Sequence, residues 1–373
     1  MTLHRMEKKL KVILSGGGTG GHIFPAIAIA EEIKKRFPQA EFLFFGANGK
    51  MEMEKVPQLG YRIEGLDIVG FNRGNLLSNL KLPFKLFSSI EKAKSIVKEF
   101  KPDFAVGTGG FASGPALYAA TRLGVPTFIQ EQNAHAGVTN KILSKSASLI
   151  FTAYPNVKGF PQEKTEFYGN PIRERILSGL EERSLAKQKF GLDPIKLTLL
   201  SVGGSLGSHT MNQAWLENLP KLLDKDYQLI WQTGKSEFRT IESQTKHYTS
   251  RNLQVLEFIK GMEVAYSAAD IIVSRAGAIA ISELAVVGKP MILIPFPFAA
   301  EDHQTANAQR LVEKKAALMV KDSEMKEKFW PTLRSLCENE EVRKEMSENL
   351  EFFAKRTAAK DIVDSILTKI NRA

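Results

Sequence analysis

Two segments, one in each half of the chain, share a single pattern that limits what the chain can fold into. LKVILSGGGTGGH at 10–22 and IKLTLLSVGGSLGSH at 195–209 each read as a buried strand, a glycine turn with Ser or Thr, and the start of a helix. Short apolar runs such as 12–14, 104–106 and 197–202 alternate with helical patterns, which is typical of parallel sheets covered by helices. The sequence therefore predicts an α/β protein with two Rossmann-like, doubly wound domains that face each other across a cleft.

The domain boundary is predicted from length and turn residues. The 373 residues are enough for two domains that each bury a core. GFPQEKTEFYGNP at 159–171 supplies turn residues between the last strand of one sheet and the next helix. We therefore expect domains at 1–165 and 166–373, and we expect the helical, charge-rich tail after residue 321 to pack as a cap, with C-terminal helices returning to the N-terminal domain.

Composition excludes several classes of protein. The single cysteine, Cys337, cannot form an internal disulfide, and no Cys and His residues have the spacing of zinc ligands. The N-terminus lacks the apolar segment of a signal peptide, and no run of about 18 apolar residues predicts a membrane-spanning helix. We expect a protein of a reducing cytoplasm that is not integral to a membrane.

The positive charge is concentrated in the N-terminal half. Residues 1–165 contain 22 Lys and Arg against 13 Asp and Glu, or +9, and residues 166–373 contain 29 against 28, or +1, which together give the net +10. This asymmetry indicates an anionic partner for the first half, such as a phosphate-bearing ligand, a nucleic acid or an acidic lipid surface. Scattered solvating lysines are the alternative.

A leucine-rich, basic stretch in the same half favours the lipid surface. It is predicted as a loop before a core-facing helix that starts at residue 87, and shallow insertion among acidic head groups suits it, although core filling is the alternative. The residues are Leu76, Leu77, Leu80, Leu82, Lys81 and Lys85.

Four glycine-containing loops, each after a predicted strand, indicate phosphate binding. They lie at 16–21, 107–114, 203–208 and 275–278. The first contains G-x-G-x-x-G, but the second strand ends Phe44, Phe45, Gly46 without the acid that a nicotinamide enzyme needs. Bare N–H groups at helix N-termini bind phosphate, and four such loops predict two phosphate-bearing ligands, a nucleotide sugar and a diphosphate-linked acceptor.

Two side chains that follow these loops suit the chemistry. His22 closes the first loop and can accept a proton near neutral pH, although a helix-capping role is the alternative. Glu283 lies about two turns into a helix and can accept paired hydrogen bonds from a ribose diol, with a buried, backbone-bonded Glu as the alternative. D-K-D at 224–226 reads as a surface turn and not as a metal motif, so we predict no metal.

Seven motifs together resemble the MurG family of bacterial transferases. They are GGGTGGHIFP at 16–25, GTGGFASGP at 107–115, EQNAHAGVTN at 131–140, GNPIR at 169–173, GGSLGS at 203–208, SRAGAIAISE at 274–283 and DHQTANA at 302–308. The resemblance implies a B-type glycosyltransferase fold and inverting transfer of N-acetylglucosamine from UDP-N-acetylglucosamine to undecaprenyl-diphosphate-linked muramyl-pentapeptide in peptidoglycan synthesis. It also implies no cofactor, no nucleic-acid partner, and peripheral attachment to the cytoplasmic face of the membrane, with the acceptor on the N-terminal domain and the donor on the C-terminal one.

The resemblance also implies which residues form the site. Catalysis and acceptor binding fall on His22 and Glu131. Donor binding falls on Thr19, Gly20, Gly21, Asn133, Arg173, Gly204, Ser205, Ile259, Ala278, Ile279, Ala280, Ile281, Ser282, Glu283 and Gln304. The acceptor diphosphate falls on the loop residues Gly17, Gly18, Gly109, Gly110 and Ser113.

Two positions depart from the family's usual residues. Leu206 stands where Gln is common and Ala280 where Thr often stands, so individual side-chain hydrogen bonds to the donor are in question, while the site is not. Two alternative functions stay open from the sequence. One is a UDP-N-acetylglucosamine 2-epimerase on the same fold, and the other is a non-catalytic module that binds a nucleotide sugar or a lipid.

Overall fold

The computed structural model describes residues 9–68, 70, 82–204, 206–248 and 252–371. Its contacts divide the chain into two compact units. The first unit comprises Met1–Arg173 together with Thr357–Ala373, and the second comprises Glu174–Arg356. The predicted domain ranges, 1–165 and 166–373, and the ligand assigned to each, stay predictions.

The first unit is built on a parallel sheet that, over the described residues, has seven strands. They are β1 (Lys11–Ser15), β2 (Glu41–Ala47), β3 (Arg62–Leu66), β4 (Phe104–Gly107), β5 (Thr127–Glu131), β6 (Leu149–Thr152) and β7 (Thr165–Phe167). Their order is β3-β2-β1-β4-β5-β6-β7, and every pair is parallel. The central strands are buried along their length, because helices cover both faces of a sheet of this kind.

Helices of the first unit follow the strands in alternation. They are α1 (Gly20–Arg36), α2 (Glu52–Gln58), α3 (Leu82–Phe100), α4 (Ser113–Arg122) and α5 (Val138–Ser144). Helix α1 begins inside the glycine cluster, earlier than the predicted residue 23, and it ends before Pro38 as proline requires.

The second unit repeats the architecture. Its strands are β8 (Thr198–Val202), β9 (Gln228–Gln232), β10 (Leu253–Leu256), β11 (Ile271–Arg275), β12 (Met291–Ile294) and β13 (Leu318–Met319). Its helices are α6 (Glu174–Ser178), α7 (Arg183–Lys189), α8 (His209–Asp224), α9 (Phe238–Thr245), α10 (Met262–Ala268), α11 (Ala278–Val287), α12 (His303–Val312), α13 (Met325–Glu338) and α14 (Glu340–Leu350). The parallel strand order is β10-β9-β8-β11-β12-β13.

The direction of winding reverses at one point in each sheet. In the first sheet this switch point lies between β1 and β4, and in the second it lies between β8 and β11. Ligands of open α/β sheets bind outside the carboxyl ends of the strands at such a point. The four glycine-containing loops predicted from the sequence follow these four strands.

The last helix, α15 (Ala358–Asn371), belongs to the first unit. It packs on α1, where Ile362, Val363 and Ile366 are buried in the same apolar core as β1 and β4. An ion pair between Arg36 and Asp364 joins the two helices at the surface. Helices α13 and α14 pack within the second unit, so the tail after residue 321 is shared between the units.

The leucine-rich stretch is only partly described. Leu82 and Lys85 were expected in a loop, and that prediction is wrong because both lie in the first turns of α3. Pro83 explains the early start, since its fixed φ suits the first turn of a helix. Leu76, Leu77, Leu80 and Lys81 lie outside the described residues. Over the described ranges, no helix combines the length and apolar character that crossing a bilayer requires.

The cysteine is a core residue of the second unit. Cys337 lies on α13 in the apolar core, and burial raises the pKa of its thiol to about 12. The thiolate is therefore absent near neutral pH, and we expect this thiol to be unreactive.

The buried face of α15 predicts a stability effect. Replacing Ile366, which is fully buried, by Ala should lower the free energy of unfolding by about 2–5 kcal/mol, because the lost side chain leaves a cavity. Urea unfolding monitored by circular dichroism measures the change. Ile195→Ala at an exposed position of the second unit is the matched control, with an expected change below about 0.5 kcal/mol. Equal effects of the two substitutions would contradict the packing of α15.

Candidate functional site

The two loops at the switch point of the first sheet are in direct contact. A β-carbon at Gly110 would lie 2.2 Å from the carbonyl oxygen of Gly17, and one at Gly16 would lie 2.0 Å from Oγ1 of Thr108. Neither loop could carry a side chain there without moving its neighbour. Part of the glycine pattern is therefore required by loop packing, independently of any ligand.

A buried carboxylate lies beneath the first loop. Glu52, fully buried at the start of α2, accepts hydrogen bonds from the amides of Gly18 and Ala47, each at 3.0 Å. A β-carbon at Gly17 would lie 2.1 Å from this carboxylate. The N–H of Gly18 therefore already has an anionic partner, and the predicted contact of this residue with a diphosphate stays a prediction. Nothing in the local sequence around Glu52 indicated this contact.

His22 lies in the first turn of α1 and is partly exposed. Its Nδ1 atom is 3.0 Å from the carbonyl oxygen of Thr108 and 3.0 Å from Oε1 of Gln132. Gly109 packs against the ring, since a β-carbon there would lie 2.9 Å from Nδ1. The described residues place no hydrogen-bond partner on the other ring nitrogen, Nε2. The ring is thus held through Nδ1, while Nε2 makes no hydrogen bond to the described residues.

Buried polar side chains join the loops that follow β1 and β4. The hydroxyl of Ser113 lies 2.7 Å from the carbonyl oxygen of Ser15 and 2.8 Å from that of Gly109. The hydroxyl of Thr108 donates to the carbonyl oxygen of His22 at 2.6 Å. Ser113 is fully buried, so its side chain fixes the loops, and its predicted contact with a diphosphate stays a prediction.

Glu131 organises the loop that follows β5. One carboxylate oxygen accepts from the amide and the side chain of Asn133, at 3.0 and 3.2 Å. The other accepts from the amide of Gly137 at 3.0 Å and from Nδ2 of Asn140 at 2.9 Å. The residue is 1% exposed. Because four donors already occupy this carboxylate, the geometry favours a positioning role over direct catalysis.

The predicted donor residues are divided between the units. Thr19, Gly20, Gly21, Asn133 and Arg173 belong to the first unit, and the other donor residues belong to the second. The Arg173 guanidinium lies 5.8 Å from the ring centroid of Phe24, and Thr19 is the N-cap residue of α1.

In the second unit, the loop after β8 packs as closely as the loop after β1 does in the first unit. A β-carbon at Gly207 would lie 2.1 Å from the carbonyl oxygen of Thr233, and Gln232 donates to the carbonyl oxygen of Gly204 at 2.8 Å. Leu206 is 81% exposed at the tip of the loop. Ser205, predicted to bind the donor, lies outside the described residues.

Arg275, at the end of β11, connects the loops around the second switch point. Its guanidinium donates to Oγ of Ser208 at 2.6 Å, to the carbonyl oxygen of Pro295 at 3.1 Å and to Asp322 at 2.5 Å. The side chains of Arg275 and Asp322 are 13% and 16% exposed, and Thr210 donates to the second oxygen of Asp322. The sequence contained Arg275 in a quoted motif, but nothing in it indicated these partners.

The remaining predicted donor residues surround the same end of the sheet. The run Ala278–Glu283 forms the first two turns of α11, where Glu283 is 3% exposed, and its predicted contact with a ribose diol stays a prediction. Ile259 is buried after β10, and Gln304 on α12 accepts from the amide of Phe296 at 2.9 Å.

Backbone strain marks the entry to α12. Glu301 and Asp302 have φ of 53° and 50°, a left-handed conformation that side chains disfavour and that is concentrated at functional sites. Among the residues that the structure describes, no three His, Cys, Asp or Glu side chains come together to hold a metal ion.

Comparison with known proteins agrees with this architecture. Residues 12–152 match the glycosyltransferase family 28 N-terminal domain, and residues 198–366 match the glycosyltransferase family 28 C-terminal domain. The two units have the B-type glycosyltransferase fold of two Rossmann-like domains. The chain belongs to glycosyltransferase family 28.

Relatives that align over nearly the whole chain give more specific information than the family models. Proteins of Christiangramia forsetii and Parabacteroides distasonis are 50% and 48% identical, and each alignment covers 98% of this chain and 99% or 100% of the relative. Both are named UDP-N-acetylglucosamine–N-acetylmuramyl-(pentapeptide) pyrophosphoryl-undecaprenol N-acetylglucosamine transferase. The crystal structure of Acinetobacter baumannii MurG is 30% identical with a TM-score of 0.78, covering 96% of this chain and 99% of that one. These matches confirm the resemblance to the MurG family.

A structure described as a UDP-N-acetylglucosamine 2-epimerase from Listeria monocytogenes has a TM-score of 0.69 at 12% identity, covering 98% of each chain. At that identity the likeness shows the fold alone. The fold by itself therefore does not separate a transferase from the epimerase alternative.

The Arg275 contacts predict a local effect on the loops. Arg275→Ala should lower the free energy of unfolding by about 2 kcal/mol, because Asp322 and the two loops lose a charged donor. Arg275→Lys keeps the charge but loses the planar guanidinium, so it should lower the free energy of unfolding by about half as much. It should still accelerate amide hydrogen exchange in residues 206–208.

Urea unfolding and hydrogen exchange measure these two effects. Arg334→Ala, in an exposed helical ion pair with Glu338, is the matched control and should change stability by less than about 0.5 kcal/mol. Unchanged exchange at 206–208 in both Arg275 variants would refute the connection between the loops.

Proposed function

We propose that this chain is an inverting glycosyltransferase of peptidoglycan synthesis. It moves N-acetylglucosamine from UDP-N-acetylglucosamine to the 4-hydroxyl of undecaprenyl-diphosphate-linked N-acetylmuramyl-pentapeptide. The observation that carries this proposal is the near-complete alignment, at 48–50% identity, with relatives named for this reaction. The four loops at two switch points support it, because the reaction has two substrates that each carry a diphosphate.

Each unit has the properties of one substrate site. The first half of the chain carries the excess of +9, which suits the diphosphate and the acidic membrane that present the acceptor. In the second unit, the run Ala278–Glu283 starts a helix after the switch-point strand, where backbone N–H groups attract phosphate. The donor is therefore assigned mainly to the second unit and the acceptor to the first.

The proposed chemistry is a single displacement. The acceptor hydroxyl attacks C1 of N-acetylglucosamine from the face opposite UDP, the new C1–O bond forms, and UDP departs with the electron pair of the broken bond. His22 takes the hydroxyl proton on Nε2, the ring nitrogen that faces away from Thr108 and Gln132. Arg173 and the amides of the loop at 203–208 stabilise the charge on the departing diphosphate. The nucleotide sugar is a substrate, and this chemistry uses no cofactor.

A transfer assay tests the function directly. The purified protein is incubated with radiolabelled UDP-N-acetylglucosamine and a lipid-diphosphate muramyl-pentapeptide, and label in the lipid product is measured. The proposal expects UDP release only when the acceptor is present. Conversion of the donor to its C2 epimer without acceptor would favour the epimerase, and donor binding without either product would favour a binding module.

His22→Asn separates catalysis from structure. The Asn side chain can still donate towards Thr108 and Gln132 but lacks the second nitrogen, so kcat should fall by about 10²–10⁴-fold. The KM for UDP-N-acetylglucosamine should change by less than about threefold, because uniform binding is kept. His135→Asn, at an exposed position, is the matched control. An unchanged kcat in His22→Asn would remove His22 from the mechanism.

We infer peripheral attachment to the cytoplasmic face of the membrane, and exposed apolar side chains support the contact with lipid. Phe84 and Phe87 on α3 are 79% and 68% exposed. Helix α4 packs on both α3 and α5, and it carries the exposed Tyr118, while α5 carries the exposed Ile142. Large exposed apolar groups on adjoining helices of a basic half suit insertion among acidic lipids.

Vesicle binding tests this attachment. The double variant Phe84→Ser, Phe87→Ser should reduce cosedimentation with vesicles that contain anionic lipid by about tenfold or more, because the lipid contact loses two exposed aromatic side chains. Transfer to a water-soluble, short-chain acceptor should be unchanged. Ile195→Ser, which removes an exposed apolar side chain from the second unit, is the matched control. Equal vesicle binding by both variants would contradict the assigned surface.

A further inference from the structure

The contacts of His22 determine which ring nitrogen carries a hydrogen. Nδ1 lies 3.0 Å from two oxygens, the carbonyl of Thr108 and Oε1 of Gln132. A carbonyl oxygen accepts hydrogen bonds and cannot donate them. If Nδ1 were unprotonated, its lone pair would face those of two oxygens at hydrogen-bond distance. In the neutral ring, the hydrogen therefore belongs on Nδ1 and the lone pair on Nε2.

This argument requires that Gln132 turns its oxygen, and not its nitrogen, towards His22. Nε2 of Gln132 faces three oxygens, the carbonyl of Thr108 at 2.7 Å, the carbonyl of Gln130 at 3.0 Å and Oε1 of Gln130 at 2.5 Å. Rotating the amide by 180° would direct its oxygen at all three. Gln132 is 1% exposed, so the cost of such unpaired contacts is high. The orientation of the amide is thus fixed by its neighbours.

The neighbours are in turn fixed. Nε2 of Gln130 donates to Oδ1 of Asn170 at 2.8 Å, which leaves Oε1 of Gln130 directed at Gln132. Asn170 donates to the carbonyl oxygen of Gln132 at 3.2 Å. All three amide side chains are buried, and each hydrogen bond sets the orientation of the next. The chain of amides ends at Nδ1 of His22.

We propose that Gln132 is a positioning residue that fixes His22 in the tautomer protonated on Nδ1. This inference rests on the proposed function, in which Nε2 of His22 accepts the proton of the attacking hydroxyl. The Nδ1 tautomer presents a lone pair on Nε2, whereas the Nε2 tautomer would present a hydrogen there. After proton transfer the imidazolium keeps its Nδ1 hydrogen bond to Oε1 of Gln132, so the amide also steadies the charged ring.

The test is a two-bond ¹H–¹⁵N spectrum of the full chain labelled with ¹⁵N-histidine, recorded without substrates above the titration range of imidazole. His22 is assigned by the signal that His22→Asn removes, and the exposed His135 is the reference for an unconstrained ring. We expect a protonated-type shift at Nδ1 of His22 and an unprotonated-type shift at Nε2. The reverse pattern in the unsubstituted protein would overturn the proposal, and this measurement requires no variant of Gln132 to fold.

Gln132→Leu separates the side chain from the backbone carbonyl of Thr108. We expect the Nδ1 tautomer to lose population and kcat to fall about tenfold or more, with a KM for the donor that changes less than twofold. Gln188→Leu, on the exposed face of α7, is the matched control for an amide-to-leucine change. If Gln132→Leu keeps the Nδ1 tautomer and its kcat, Thr108 alone fixes the ring and the role of Gln132 is refuted.

The two proposals fail in different ways. A chain that shows the Nδ1 tautomer but transfers no sugar would refute the proposed function and leave the tautomer assignment standing. A chain that transfers sugar with the Nε2 tautomer would leave the function standing and refute the role of Gln132.

Discussion

The parallel pairing of β1 with β4, and of β8 with β11, is the constraint on which the rest of this structure depends. At these two positions the crossover helices run to opposite sides of the sheet, so the carboxyl ends of neighbouring strands stay uncovered. Each pair of glycine-containing loops is brought side by side there. The candidate residues His22, Gly109, Gly204 and Ala278 derive their places from this arrangement, because each lies in or directly after one of these loops.

Close packing of these loops requires glycine at several positions, independently of any ligand. Gly110 leaves room for the backbone of Gly17, and Gly17 leaves room for the buried carboxylate of Glu52. A glycine-rich turn before a helix is usually interpreted as a phosphate cradle. Here one of its amides is already bound to a carboxylate, and the loop's shape serves to place His22. In the second unit, Arg275 also has a structural role that needs no ligand, because its guanidinium joins three segments of that unit.

Fold and function separate clearly in this protein. The structure described as a 2-epimerase shares this fold at 12% identity, so the architecture alone admits more than one activity. Sequence similarity across both units identifies one family of glycosyltransferases. The individual side chains then decide how a reaction could proceed, because a shared backbone says little about which nitrogen of a histidine carries its proton.

The sequence by itself determined the two doubly wound sheets, the loops at their carboxyl ends, and His22 as a titratable group beside one of them, because apolar period and glycine turns are local signals. The prediction of a loop at Leu82 and Lys85 was wrong, because Pro83 suits the first turn of a helix and both residues lie in α3. Only the tertiary structure decided the partners: Glu52 meets Gly18 across 34 positions, Asp322 meets Arg275 across 47, and Gln132 meets His22 across 110. Such contacts depend on strand order and register, which the spacing of residues along the chain does not encode.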